Sequence, residues 1–479
     1  MPKRIVTVLV LALALHACTK PPPPAPEKTS ELVVSTRQGP GTYYISPGGA
    51  AVGFEYDLVS EFARQQGWAV RWDVRDNAEA VLSSIDTASA HFAAAALTES
   101  TVHARLLRAG PMLFETPVLV IYRNSRKRPA SLAGLSGEKI AILESAGLNL
   151  IMLRLKRKLP GLTWQNLDAL WPEELLARLD NGDYDVVIVN GMDFELSRSA
   201  FPNLAVAFPL DYKQKIVWAL PRNASPELVH KMQRFMAEAR KNSTIKRIYE
   251  RYYGHVHRLD NQDVLGILDR RKKLLPKLRR YFHEAQTLTG IDWRLLAAIG
   301  YQESKWDPNA TSPTGVRGLM MLTGDTADRM GVQNRLDARQ SILGGARYLV
   351  LMKNVLPRRI NEPDRTWIAL AAYNQGQGHM EDARRIAQAR GDHPDHWADV
   401  KAALPLLGRG GYEKVVRYGY ARGGEALIFT ENVRAYYDIL LRTERPYRPL
   451  MSLERGDDTP DEGMSSGDQP ADKVSTPPI

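Results

Sequence analysis

From residue 31 to about residue 255, short apolar runs alternate with amphipathic stretches. Residues 32–35, 69–72, 118–122, 139–143 and 185–189 are rich in Val, Ile and Leu and predict strands. Between the first two, residues 54–65 place Leu58, Val59 and Phe62 at helical spacing, and residues 77–84 predict a further helix. Strands alternating with helices in this way predict parallel sheets covered by helices on both faces. From about Arg270 the pattern changes: apolar residues recur three and four apart, and strand-like runs stop. Residues 273–287, 292–302, 341–354, 365–373 and 431–442 predict helices, which makes the second region all-α.

The chain has 479 residues, too many for one compact core; domain-size priors point to roughly three globular units. The net charge of +10 suits a polyanion, whether nucleic acid, anionic lipid or the acidic cell-wall polymer, and does not choose among them. No zinc-ligand cysteine spacing and no nucleic-acid motif stands out, so neither a metal, a cofactor nor nucleic acid is expected. Cys18 is the single cysteine. It closes a segment with a basic head (Lys3, Arg4) and an apolar core (residues 5–15) of signal-peptide length, too short to span a bilayer comfortably. Leu15-His16-Ala17-Cys18 resembles the lipobox of bacterial lipoproteins, with His16 in place of a small residue. That resemblance implies lipidation of Cys18, and Thr19 after it favours the outer membrane. The alternative is a plain secretory signal. Five prolines between Pro21 and Pro26 predict a stiff extended spacer, and the Asp-, Gly-, Ser- and Pro-rich tail has too few apolar residues to order. The expected division is therefore residues 1–18 signal peptide, 19–30 linker, 31–255 α/β domain, 256–445 helical domain and 446–479 tail.

In the helical region Asp292 is a good N-cap, and Leu295, Leu296 and Ile299 form one stripe. Glu303, four residues after Ile299, continues that stripe. A carboxylate at the end of an apolar face is partly desolvated, which raises its pKa and suits a general acid. The competing reading is a helix-end glutamate paired with Lys305. Around it stand Glu303-Ser304-Lys305-Trp306-Asp307-Pro308-Asn309-Ala310, Ser312-Pro313-Thr314-Gly315, Gly318-Leu319-Met320-Met321-Leu322-Thr323 and, about fifty residues later, Ala372-Tyr373-Asn374-Gln375-Gly376-Gln377-Gly378. These blocks resemble the soluble lytic transglycosylases, enzymes of lysozyme-like fold that cut peptidoglycan. The resemblance covers about residues 275–441. It implies that Glu303 is the single catalytic acid and that the product is a 1,6-anhydro sugar formed without water, so no second carboxylate is required. It implies substrate contacts from Ser312, Met320, Met321, Tyr373, Asn374, Glu425 and Phe429. Asn374 also suits loop organisation, and Glu425 suits either support of the site or a structural salt bridge. Two positions depart from the family: Met321 replaces a glutamine, and Phe429 replaces a tyrosine. Asp307, before Pro308, is expected to cap a loop. The basic run Arg270 to Lys273 with Lys277, Arg279 and Arg280 is either a solvated helix face or a contact for anionic glycan or lipid.

In the first region Gly53-Phe54-Glu55-Tyr56-Asp57-Leu58-Val59, Ala95-Ala96-Leu97-Thr98 and Tyr184 to Val189 resemble family 3 periplasmic solute-binding proteins, and Ile216 to Ala219 looks like the return to the first lobe. The resemblance implies a two-lobed α/β fold of the periplasmic-binding-protein kind ahead of the all-α lysozyme-like domain. Where that family forks an arginine onto a ligand carboxylate this chain has His103, with Arg105 nearby; where it has an aspartate for the ammonium, this chain has Asn190. Both changes argue against a free amino acid. Tyr43, Tyr44, Thr98, His103, Arg105 and Asn190 are the candidate cleft residues, set against the reading that they are ordinary loop residues. The expected partners are peptidoglycan strands, a membrane reached through the lipid anchor, and a muropeptide or other small regulator. Two further readings stand beside the lyase: a hydrolytic muramidase of the same fold, and a tethered glycan receptor.

Overall fold

The computed structural model describes residues 22–447 apart from Pro40, 47–48, Glu144, 168–171, His257 and Thr314. Cys18, the signal segment and the tail from residue 448 lie outside the described residues. The proline-rich linker is not a free spacer along its whole length. Pro26 is buried at the head of α1 (Pro26–Thr29), Glu27 pairs with Lys231 at 3.6 Å, and His91 bridges Pro24 O to the Val33 amide. The chain is docked from Pro24 onward.

The α/β region contains β1 (Glu31–Arg37), a small hairpin of β2 (Tyr44–Ile45) and β3 (Ala51–Val52), then α2 (Phe54–Gln66), β4 (Ala69–Arg75), α3 (Ala78–Asp86), β5 (Phe92–Thr98), α4 (Glu99–Ala104) and the long β6 (Arg108–Arg123). There follow β7 (Ile140–Leu143), α5 (Ala146–Lys158), β8 (Trp164–Leu167), α6 (Pro172–Asn181), β9 (Val186–Asn190), α7 (Gly191–Ser197) and the long β10 (Leu204–Leu220). The strand order is β4-β1-β5-β10-β6-β9-β7-β8. Within each lobe the crossovers are parallel, as the alternation predicts: β1 with β4 and β5, β7 with β8 and β9. To these parallel units β6 and β10 add a long antiparallel pair that passes from one lobe to the other. Their ladder breaks between Pro209 and Lys213, opposite Pro117; proline has no amide to donate, so the interruption falls where the lobes divide. Ile216 to Ala219 does return to the first lobe, beside β5. Helices bury apolar faces on both sides of the first-lobe strands: Leu58, Phe62 and Phe235 against Trp218 on one side, Val81 and Ile85 against Val33 and Val217 on the other.

Two helices, α8 (Pro226–Lys241) and α9 (Thr244–Tyr253), lead out of the α/β region, and the rest is helical. It comprises α10 (Asn261–Lys273), α11 (Leu275–Thr289), α12 (Trp293–Ser304), α13 (Gly324–Arg329), α14 (Ala338–Val355), α15 (Asp364–Gln375), α16 (Gln377–Ala389), α17 (Trp397–Ala403) and α18 (Gly423–Thr443). The helix α12 is buried along Trp293 to Tyr301 and packs against α18, while α15 packs against both α14 and α18. Part of the basic stretch is ion-paired: Arg271 and Arg279 converge on Glu444 at 3.1 and 2.8 Å.

Candidate active site

The position of Glu303 follows from how α12 ends. Asp292 caps its start, accepting from the Arg294 amide. At the other end Lys305 and Trp306 both adopt left-handed backbone, with φ of 54° and 63°. Such a pair costs about 1–2 kcal/mol per residue for side chains with a Cβ. The cost is offset because Trp306 folds back into the core, where its indole donates to Ala297 O at 2.7 Å. The Ser304 hydroxyl then reaches Leu319 O at 2.8 Å and ties the helix end to the loop ahead of α13. Glu303 sits in this last turn, only partly accessible.

Its expected rival partner points elsewhere. The Lys305 ammonium donates to the Tyr436 hydroxyl at 3.1 Å and lies over the rings of Tyr301 and Tyr436. Burial pushes the Glu303 carboxyl up to about 8. Other buried carboxylates of this region differ. Burial also disfavours their charge, but His396 and Arg251 outweigh it at Asp364, and Arg434 and Lys401 at Glu431, and both are held below the usual range.

Tyr373, in the last turns of α15, is buried, and its hydroxyl donates to Met320 O at 3.0 Å. The Glu303 charge adds to burial in raising its pKa, which places the two side chains in one electrostatic neighbourhood. The Tyr373 ring lies parallel to Phe429 at 6.2 Å between centroids and against Tyr348 at 5.1 Å. Phe429 thus keeps the aromatic wall without a hydroxyl. The Met320 side chain belongs to the core, against Gly300 and Gly345, where an added Cβ would meet it at 3.3 and 2.7 Å. Met320 contributes its carbonyl to the site, not the side-chain contact that was expected. Met321 has φ 47° and keeps a partly exposed side chain. Gly318, with φ 84°, sits where a Cβ would strike Arg335 O at 1.8 Å, so only glycine fits this turn.

Ser312 holds its own turn: its hydroxyl accepts from the Val316 amide at 3.3 Å and its carbonyl from Gly315. Asp307 caps as expected, accepting from the Asn309 amide. Asn374 is exposed, and among the described residues no hydrogen bond ties it to the glycine loop that follows. Glu425 is exposed and paired with Arg422 at 3.4 Å, so it takes the salt-bridge alternative.

Tyr43, Thr98, His103, Arg105 and Asn190 line neither of the two spaces beside the lobes, and Tyr44 lines one of them. Thr98 caps α4. His103 is exposed at the end of that helix, and Arg105 pairs with Glu79 and Asp86 of α3. Asn190 caps α7, accepting from the Asp193 amide at 2.9 Å. The space between the lobes is about 40 Å³, lined instead by Arg37, Ala96, Glu173 and Asp193. Burial raises Asp193 to about 6, against the pull of Arg37. Arg37 could have been found from its place at the carboxyl end of β1, where open α/β sheets bind ligands. Tyr44 lines a larger chamber of about 1150 Å³, bounded by both lobes and by α15 and α18. Across this boundary Arg251 of α9 bridges Asp57 at 2.7 Å and Asp364, at the head of α15, at 3.0 Å. His255 pairs with Asp438 of α18 at 2.5 Å.

Residues 280–395 match the Transglycosylase SLT domain family, and residues 32–255 match the bacterial extracellular solute-binding proteins, family 3. Over 450 residues the chain is 59% identical to the membrane-bound lytic murein transglycosylase F of Thiobacillus denitrificans, covering 94% of this chain and 96% of that one. It is 45% identical to the protein of the same name from Nitrosospira multiformis, with 90% of each chain covered. Among solved structures, an ancestral arginine-binding protein bound to arginine aligns with 47% of this chain and 98% of its own at 18% identity, with a TM-score of 0.42.

Proposed function

The chain belongs to the membrane-bound lytic murein transglycosylase F family and is a peptidoglycan lytic transglycosylase, and we propose that Glu303 alone supplies its acid and base chemistry. The observation that carries this reading is the placement of Glu303 in the last turn of the buried helix α12, in one electrostatic neighbourhood with Tyr373, where burial raises its carboxyl to about 8 and no ion pair to it stands among the described residues. Such a group is protonated at neutral pH and can donate. Glu303 gives its proton to the glycosidic oxygen between N-acetylmuramic acid and N-acetylglucosamine, and the bond from that oxygen to C1 breaks. The resulting carboxylate takes the proton of the muramyl C6 hydroxyl while O6 bonds to C1. The product is a 1,6-anhydromuramyl end, and Glu303 is again protonated. Tyr373 and Phe429 form the aromatic wall beside the acid, Ser312 shapes the turn that meets the substrate acetamido group, and Met321 offers an apolar contact.

On this reading the first domain is regulatory and binds a small cell-wall fragment such as a muropeptide. The support is mechanical: Arg251 ties the first lobe to the head of the helix whose other end carries Tyr373. Lipidation of Cys18 holds the enzyme on the periplasmic face of the outer membrane; no helix among the described residues is long and apolar enough to cross a membrane. Digestion of purified sacculi followed by mass spectrometry tests the chemistry. Anhydro ends are expected, reducing ends indicate hydrolysis, and intact sacculi sink the enzymatic reading.

A further inference from the structure

Residues 408–422 join the helical turn after α17 to α18, and in fifteen positions they hold three tyrosines and four cations against one acid, Glu413. Tyr418 and Tyr420 are 61% and 74% exposed. Arg409, Lys414 and Arg417 are exposed, and among the described residues none of them carries an ion pair. A stretch so solvated is expected to be slack. This one is pinned: Asp382 of α16, 0% exposed, accepts from the Arg417 and Tyr418 amides at 2.8 and 2.7 Å. Its other partner is Arg385 at 2.7 Å.

The pin sets where the aromatics stand. The Tyr418 ring lies on Gly378, close enough that a Cβ there would meet it at 2.7 Å. Gly378 is five residues beyond Tyr373, and the loop runs directly into the helix carrying Phe429. Ile428, beside Phe429, is also exposed. The loop thus stands at the start of α16, which follows Tyr373, and at the head of α18, which carries Phe429. Flat aromatic faces suit the apolar faces of sugar rings, and unpaired cations beside them suit carboxylates.

We propose that the 408–422 loop is an accessory subsite for glycan strands bearing acidic peptide stems, with Tyr418 and Tyr420 stacking on sugar rings and Arg409, Lys414 and Arg417 meeting stem carboxylates. The loop holds the strand beside the point of cleavage. The proposal rests on the transglycosylase reading, but binding can be measured without turnover.

The purified full chain with Glu303→Gln is cosedimented with sacculi, with and without Tyr418→Ala plus Tyr420→Ala, and separately with Arg409→Ala, Lys414→Ala and Arg417→Ala. Each set is expected to weaken binding about tenfold, and the charge set to lose its effect on strands stripped of peptide by an amidase. In the active chain the tyrosine pair should raise KM for sacculi with little change in kcat. Because these side chains are exposed, an unchanged unfolding temperature checks the fold. Unaltered sacculus binding in both sets overturns the subsite. If the charge set instead abolishes binding to phosphatidylglycerol vesicles and spares sacculi, the loop is a membrane contact and the proposal falls. Failure of Glu303→Gln to stop lysis would strike the catalytic assignment alone.

Discussion

Two glutamates in different regions have carboxyls raised by burial to about 8: Glu303 in the helical domain and Glu55 in the first lobe. Glu55 is 1% exposed and accepts from the Ala96 amide at 2.7 Å, with Ala96 held at φ 55°. It is a sealed structural acceptor, whose burial outweighs the pull of Arg37. Glu303 has the same elevated affinity for its proton but keeps a partly accessible side chain beside Tyr373. A shifted pKa marks a group whose charge is costly, and access to a substrate decides whether that cost serves catalysis.

The sharpest way to break this comparison is to remove each proton carrier. Glu303→Gln is expected to lower release of soluble fragments from sacculi by about 10³-fold, in the range of lost general acid catalysis, while Glu55→Gln leaves turnover within about twofold because the amide oxygen still accepts from Ala96. Equal losses from both would dissolve the distinction. The pH dependence sharpens it further. On the proposed assignment protonated Glu303 is the active form, so kcat/KM should fall about tenfold per pH unit above about 8; a profile that instead keeps rising there contradicts the assignment.

Stability effects come next. Glu55→Ala strands the Ala96 amide and leaves a cavity, for an expected loss of about 2–4 kcal/mol by urea unfolding. Both raised carboxyls favour the fold when protonated. Their contribution is full below about pH 4.5 and is lost as pH rises through about 8. Glu55→Gln should accordingly flatten the fall in unfolding temperature between those limits, and an unchanged slope would refute the burial argument. Arg251→Ala leaves Asp57 and Asp364 without their shared cation, for an expected loss of about 2 kcal/mol that calorimetry can read at the domain boundary. Arg105→Ala, at an exposed ion pair, should change stability by less than about 0.5 kcal/mol.

Much of the active region was legible because its signals are local. Helix periodicity, the Asp292 cap and the position of Glu303 on the stripe continuing from Leu295 depend only on near neighbours, as do the short strand runs of each lobe. Met320 was misassigned because sequence alone does not distinguish an apolar residue facing a groove from one packed on Gly300 and Gly345. Thr98 and Asn190 sit where ligand residues were expected, and such side chains cap helices as readily as they bind ligands.

The sequence by itself determined the order of the two regions, their classes, and that Glu303 continues a buried helical stripe. Only the tertiary structure decided that Lys305 turns away from Glu303, that Tyr373 holds Met320 O and stacks on Phe429, that β6 and β10 join the lobes, and that Asp382 fixes a tyrosine loop on Gly378. The physical reason is range. Backbone conformation and amphipathic pattern are set within a few residues, whereas the charge state and exposure of a side chain are set by whatever distant segment packs against it.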